Sequence, residues 1–235
     1  MKKSEQKQLI LYHGSAQIIK KPEYGKGKYT NDYGPGFYCT EQRELAGEWA
    51  CGSDSDGFIN KYKLDWKGLK ILDFKSPEFS VLNWLAVLLR YRMVDMDSPI
   101  MLSAREYIRE KYYVDLSEYD VIRGYRADDS YFSFVRAFIS NTISLEQLTA
   151  AMHLGNLGEQ IVIKSTEAFN KLFFIEAFSA DHREYFPRKK DRDNTAREEY
   201  KKIAAGYDSK GIYVSEIISG MIGEDDERIR KALFI

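Results

Sequence analysis

The chain has 235 residues, 44% hydrophobic and 30% charged, with 35 Lys and Arg against 36 Asp and Glu for a formal charge of −1. That length supports a buried core without metal or disulfide staples, and that balance excludes a protein that coats nucleic acid or membranes by bulk charge. Two cysteines, Cys39 and Cys51, and three scattered histidines, His13, His153 and His182, exclude a disulfide scaffold and offer no metal-ligand spacing, so no metal site is expected.

The charged start, MKKSEQKQ, and the short apolar run after it do not make a secretion signal. The longest apolar run, around Val81–Leu89, is interrupted by Asn83 and is too short to span a bilayer. A soluble, cytoplasmic protein is the expectation. Gln8–His13 reads as a strand that delivers a histidine to the turn Gly14-Ser15. Residues 20–36 are loop, rich in glycine and proline. Gly36–Thr40 is a second short strand, and Thr40 is the expected N-cap of a helix carrying Leu45, Ala46, Trp49 and Ala50 at helical spacing. Phe58–Leu64 and Leu69–Phe74 read as strands. Glu78–Met93 and Met101–Tyr112 read as helices, and Tyr119–Tyr125 as a strand. Asp128–Ser140 and Ser144–Leu154 are helical, with Asp128, Asp129 and Ser144 as cap residues. Gly155–Gly158 is loop, Gln160–Ile163 a strand, Ser165–Leu172 a short helix and Phe173–Phe178 a further strand. From Asp181 the chain is charged and helical, followed by an apolar segment at Ile212–Met221 and a last helical turn. Strands and helices mixed out of strict alternation predict an α+β fold and not a doubly wound parallel sheet.

No P-loop, dinucleotide fingerprint, GxSxG or HExxH is present. Three segments stand apart: Leu11–Ser15 (LYHGS), Gly34–Thr40 (GPGFYCT) and Gly158–Ile163 (GEQIVI). Singly, each has a plain structural reading. A histidine at a strand end is more often a satisfied structural group, Tyr38 beside Phe37 is more often core, and Glu159 suits a solvated strand boundary. Arg123 and Arg126 read as a solvated face, Asp128 and Asp129 as caps. The basic stretch Arg188–Arg192 reads as a solvated helix end and is the best candidate for contact with an acidic or nucleic-acid partner.

Taken together, the three segments resemble the His-Tyr-Glu signature of the poly(ADP-ribose) polymerase and diphtheria-toxin group of ADP-ribosyltransferases. More closely, with YDVIRGYRADDSYF before the third segment, the chain resembles a bacterial family of ADP-ribosyltransferase-like domains, over about residues 8–178. The resemblance implies a split, mixed and mostly antiparallel sheet in a catalytic domain at 1–180. A helical insertion at about 75–115 and a C-terminal helical extension at 181–235 would elaborate it. It implies mono-ADP-ribosyl transfer from NAD to a macromolecular acceptor, protein or nucleic acid, with release of nicotinamide. A NAD glycohydrolase and a catalytically silent interaction protein are the rivals. Glu159 is the implied catalytic carboxylate, since breaking the nicotinamide–ribose bond develops an oxocarbenium-like cation. His13, Gly14, Ser15 and Tyr38 are the implied NAD-binding residues, with Phe37 and Tyr33 as additional pocket candidates. Asn156 and Gln160 are the candidates for acceptor contact. Alternation puts Glu159 and Gln160 on opposite faces of their strand, so only one can face NAD.

Overall fold

The computed structural model describes residues 8–127, 129–154 and 158–231. It is a mixed α+β fold with two sheets and, among the described residues, nine helices. The first sheet has the order β1-β3-β7, from Gln8–Ser15, Gly57–Asp65 and Leu172–Ala180, all antiparallel. The second has the order β2-β6-β5-β4, from Phe37–Cys39, Glu159–Ile163, Val121–Tyr125 and Ile71–Asp73. Only β4 and β5 in it run parallel. Among the described residues a single bridge joins the two sheets. Tyr12 N–H donates to Thr40 O (2.8 Å) and Thr40 N–H to Tyr12 O (2.9 Å), which sets the end of β1 against the end of β2.

That bridge explains why α1 (Arg43–Ala50) begins later than its sequence suggests. The Thr40 backbone is spent on β1, so the N-cap falls on Gln42. The helix α1 then lies across β1. An added Cβ on Gly14 would sit 1.9 Å from Ala46 O and 2.7 Å from Ala50 N, so only glycine admits this crossing.

The two sheets close over Leu11, Cys39, Tyr62, Leu64, Val121, Ile161 and Ile163, all buried. A larger core gathers around α2 (Val81–Tyr91), whose residues from Val81 to Leu89 are all buried. A helix that is apolar all round must be enclosed, and α3 (Pro99–Lys111), α4 (Asp129–Ile139), α5 (Leu145–Ala151) and α8 (Val214–Ser219) contribute to the core around it. Asn83, the polar residue in that run, accepts from Ser80 N–H at the helix start (2.7 Å). It donates to Tyr112 O (3.1 Å) and Glu224 Oε1 (2.6 Å), so no polar atom is stranded there. Helices α2 and α3 fall within the expected insertion at 75–115.

After α6 (Thr166–Asn170) and β7, the long helix α7 (His182–Ala204) starts at Asp181, whose carboxylate accepts from Arg183 N–H (2.8 Å). It packs on α1, α4 and α5, and a short α9 (Glu227–Lys231) ends the described chain. The extension from 181 therefore shares the core of the rest. No described helix is long and apolar enough to cross a membrane.

Candidate functional site

The bridge between β1 and β2 places His13 beside Tyr38. The His13 Nδ1–H donates to Tyr38 O (2.7 Å), and the Phe37 ring lies against the imidazole at 4.2 Å between centroids, tilted by 30°. Burial pushes the His13 pKa down, against the raising effect of the Tyr38 carbonyl. A neutral ring with its proton on Nδ1 leaves Nε2 as an acceptor.

These residues open onto a cleft of about 900 Å³, lined also by Gly14, Ser15, Trp49, Asp32 and Gln160. Five cationic side chains line it, Lys21, Lys26, Lys28, Arg92 and Arg126, against the two acids Glu23 and Asp32. The wall is therefore net positive, which suits an anionic ligand with an apolar end.

The polar groups near β1 are tied into the rim. Asn60, fully buried on β3, donates to Ser15 Oγ (3.0 Å) and Gln17 O (3.2 Å) and accepts from Ile19 N–H (2.9 Å). Ser15 Oγ itself donates to Gln17 O (2.6 Å). Ser15 thus shapes the rim as well as lining the cleft. Gly14 lines it too, but its missing side chain is required by α1 and not by a ligand.

The Tyr38 hydroxyl donates to Gly34 O (2.6 Å) and accepts from Tyr33 N–H (3.0 Å), holding a turn in which Gly34 has φ +73°. Lys164 Nζ donates to Tyr33 O (2.9 Å) and Pro35 O (3.0 Å) in the same turn, and burial pushes its pKa down to about 8. Tyr33 is not a pocket residue. It is fully buried, donates its hydroxyl to Tyr125 O (2.6 Å) and stacks on Phe74, so core packing claims it.

The register of β2 on β6 pairs Tyr38 with Val162. Tyr38, Val162 and Gln160 therefore share one face of the sheet, and Glu159 takes the other. Gln160 lines the cleft with His13 and Tyr38, 6% exposed, and donates from Nε2 to Asp32 Oδ2 (3.0 Å). Glu159 lines a second cavity of about 220 Å³ with Thr40, Gln42, Lys75, His153 and Gly158. It receives Lys75 Nζ (2.6 Å) and Arg123 Nε (2.6 Å). Burial raises its pKa, but the hydrogen bonds from these two cations outweigh that and hold it below the usual carboxylate value. Of the three signature residues, the structure brings His13 and Tyr38 together in one cleft and sets Glu159 next door. Arg126 lines both cavities. Asn156 lies outside the described residues, as does Asp128.

Sequence reasoning missed several lining residues. Trp49 repeats with the apolar face of α1 and reads as core, yet it lines the cleft, with the Arg126 guanidinium 4.9 Å from its ring centre. Asp32 sits in the glycine-rich loop with no pattern to mark it. It is 5% exposed, and burial pushes its pKa up, opposed by Ala127 N–H (3.0 Å), Arg92 (3.3 Å), Gln160 and Arg126. Arg123 and Arg126 are not a solvated face, because Arg123 binds Glu159 and Glu41 and Arg126 lines both cavities. The basic stretch is also committed. Arg188 pairs with Glu44 (2.6 Å) and Glu184 (2.8 Å), and Arg192 with Glu48, clamping α7 onto α1. Two of its cations are thus taken before any acidic partner arrives.

Among the described residues one set could hold a metal, Asp56, Asp181 and His182, with ligand atoms within 4.8 Å of one another. Sequence could not show it, since it joins the start of β3 to the start of α7. None of the three lines the cleft.

No curated protein and no solved structure matches the chain. A family model described as "Protein of unknown function (DUF3990)" matches residues 9–174, which runs from β1 into β7 and covers more than half the sequence. The chain belongs to the DUF3990 family.

Proposed function

We propose that the cleft binds NAD and that the protein is a mono-ADP-ribosyltransferase, passing ADP-ribose to a macromolecular acceptor and releasing nicotinamide. One observation carries this reading. Two segments 25 residues apart, with His13 and Tyr38, meet with Trp49 in one cleft whose wall is net cationic. Aromatic rings suit a nicotinamide or adenine face, and the cations suit a pyrophosphate. The resemblance of the sequence segments to the His-Tyr-Glu group supports the same substrate.

In the reaction, the bond between ribose C1′ and the nicotinamide nitrogen breaks, and nicotinamide leaves with the electron pair. A lone pair of the acceptor closes on C1′, and the acceptor's proton passes to a base. Glu159 is the candidate for stabilising the cation and taking that proton. Its carboxylate is ionised at neutral pH and borders the cavity that shares Arg126 with the cleft. His13 Nε2 would accept from a ribose hydroxyl. Trp49 and Tyr38 would enclose the ring.

A second reading is a NAD-binding protein without transfer, favoured by the two cations that already neutralise Glu159. Free nicotinamide, measured with and without a lysate as acceptor, separates these. Release that depends on the lysate supports transfer. Release without it means hydrolysis or automodification. NAD binding without release supports the second reading.

A further inference from the structure

The strongest unexplained feature of the cleft is an acceptor with no donor. Gln160 and Asp32 line the cleft, and each is more than nine-tenths buried. The Gln160 amide donates from Nε2 to Asp32 Oδ2 (3.0 Å), which fixes its orientation and leaves Oε1 buried with no hydrogen-bond partner. Asp32 Oδ2 also accepts from Ala127 N–H (3.0 Å), while Oδ1 has the Arg92 guanidinium beside it (3.3 Å). A stranded buried acceptor lowers stability unless something donates to it. Gln160 shares a sheet face with Tyr38 and lines the cleft beside it.

The chemistry of the missing donor is narrow. Gln160 Oε1 and the Asp32 carboxylate can only accept, so a phosphate oxygen is rejected at this point. A cation is disfavoured by Arg92 and Arg126, which line the same wall. What remains is a neutral group with two adjacent donors. We infer that Asp32 and Gln160 form a paired acceptor that reads the vicinal hydroxyls of a ribose in the cleft. The inference rests on the reading of the cleft as a NAD site, and adds the group that selects the sugar. It also gives Gln160 a role facing the dinucleotide instead of the acceptor.

Titration calorimetry with NAD, nicotinamide mononucleotide, AMP and nicotinamide tests it. Gln160→Met keeps the length of the side chain and removes the acceptor, and Asp32→Asn removes the charge. Each should weaken NAD, and the mononucleotide whose ribose is read, by roughly tenfold or more, with nicotinamide unaffected. The wild-type protein gives the same answer without any variant. The 2′,3′-dideoxy form of that mononucleotide should bind roughly tenfold more weakly than the parent. Which mononucleotide responds identifies the ribose. Equal binding of both dideoxy forms would overturn the inference and leave the NAD site standing, as would folded variants with unchanged NAD affinity. A matching loss for nicotinamide would assign the pair to the carboxamide and overturn it too. A wild-type protein that binds neither NAD nor either mononucleotide would overturn the NAD reading, and this inference with it.

Discussion

At the scale of single residues, His13 makes the clearest physical claim. Its ring is held neutral by burial, with the proton on Nδ1 toward Tyr38 O. A histidine whose folded pKa lies below its unfolded value gives stability that is complete above about pH 6.5 and is lost as pH falls toward the folded pKa. In a proton NMR titration the His13 ring should titrate below 6.5, and a midpoint above that value would contradict the geometry. Tyr38 makes a second claim. Tyr38→Phe strands the Tyr33 N–H, so it should cost about 1–3 kcal/mol of stability while keeping the ring. Tyr38→Ala should lose NAD affinity as well. Trp49→Ala should weaken NAD binding by roughly tenfold, as one lost aromatic contact. A Trp49→Ala protein with full NAD affinity would remove this ring from the site.

At the scale of elements, the decisive joint is α1 on β1. Gly14→Ala drives a methyl into the Ala46 carbonyl, and backbone cannot yield as a side chain does. An overpacked site costs about 1–3 kcal/mol or more, or roughly 5 °C of melting temperature at this chain length. Gly206→Ala, where an added Cβ meets nothing within 4 Å, should change little. Equal melting points for the two variants would show that α1 does not press on β1. The elements themselves were largely legible, because period and punctuation are local. The strands around His13, Tyr38 and Gln160, the largely apolar α2 and the Ser144 cap of α5 lie where the sequence places them. The start of α1 was not legible, since Thr40 is claimed by Tyr12 across 28 positions of chain. The site was half legible for the same reason. His13 and Tyr38 sit on strands with recognisable flanks. Asp32 lies in a loop, Arg92 just past a helix end and Trp49 on a helix, and only the closed fold brings the three to one cleft.

At the scale of the whole molecule, two sheets meet at the Tyr12–Thr40 bridge, with a net cationic cleft beside the joint and α7 clamped onto α1. If NAD occupies the cleft, a hundredfold excess over its dissociation constant should add about 2.7 kcal/mol. For a chain of this size that is roughly 5–10 °C in a thermal-shift titration. A flat titration to millimolar NAD would mean that the cleft takes something else. Activity should survive a chelator, because the Asp56, Asp181 and His182 set does not line the cleft. Activity lost to EDTA and restored by a divalent cation would contradict that. Glu159→Gln removes the charge and keeps the size, so turnover should fall roughly 100- to 1,000-fold with NAD affinity little changed. If turnover is kept, the base lies elsewhere, and Asp32 and Glu23 are the acids that line the cleft itself.

The most direct measurement follows the two halves of NAD separately. The wild-type protein is incubated with a lysate and with NAD labelled either in its adenylate or in its nicotinamide. If the protein transfers ADP-ribose, the adenylate label enters a macromolecule while the nicotinamide label is released as free nicotinamide in equal amount. If both labels stay together in intact NAD, the protein does not transfer ADP-ribose and the central claim is wrong.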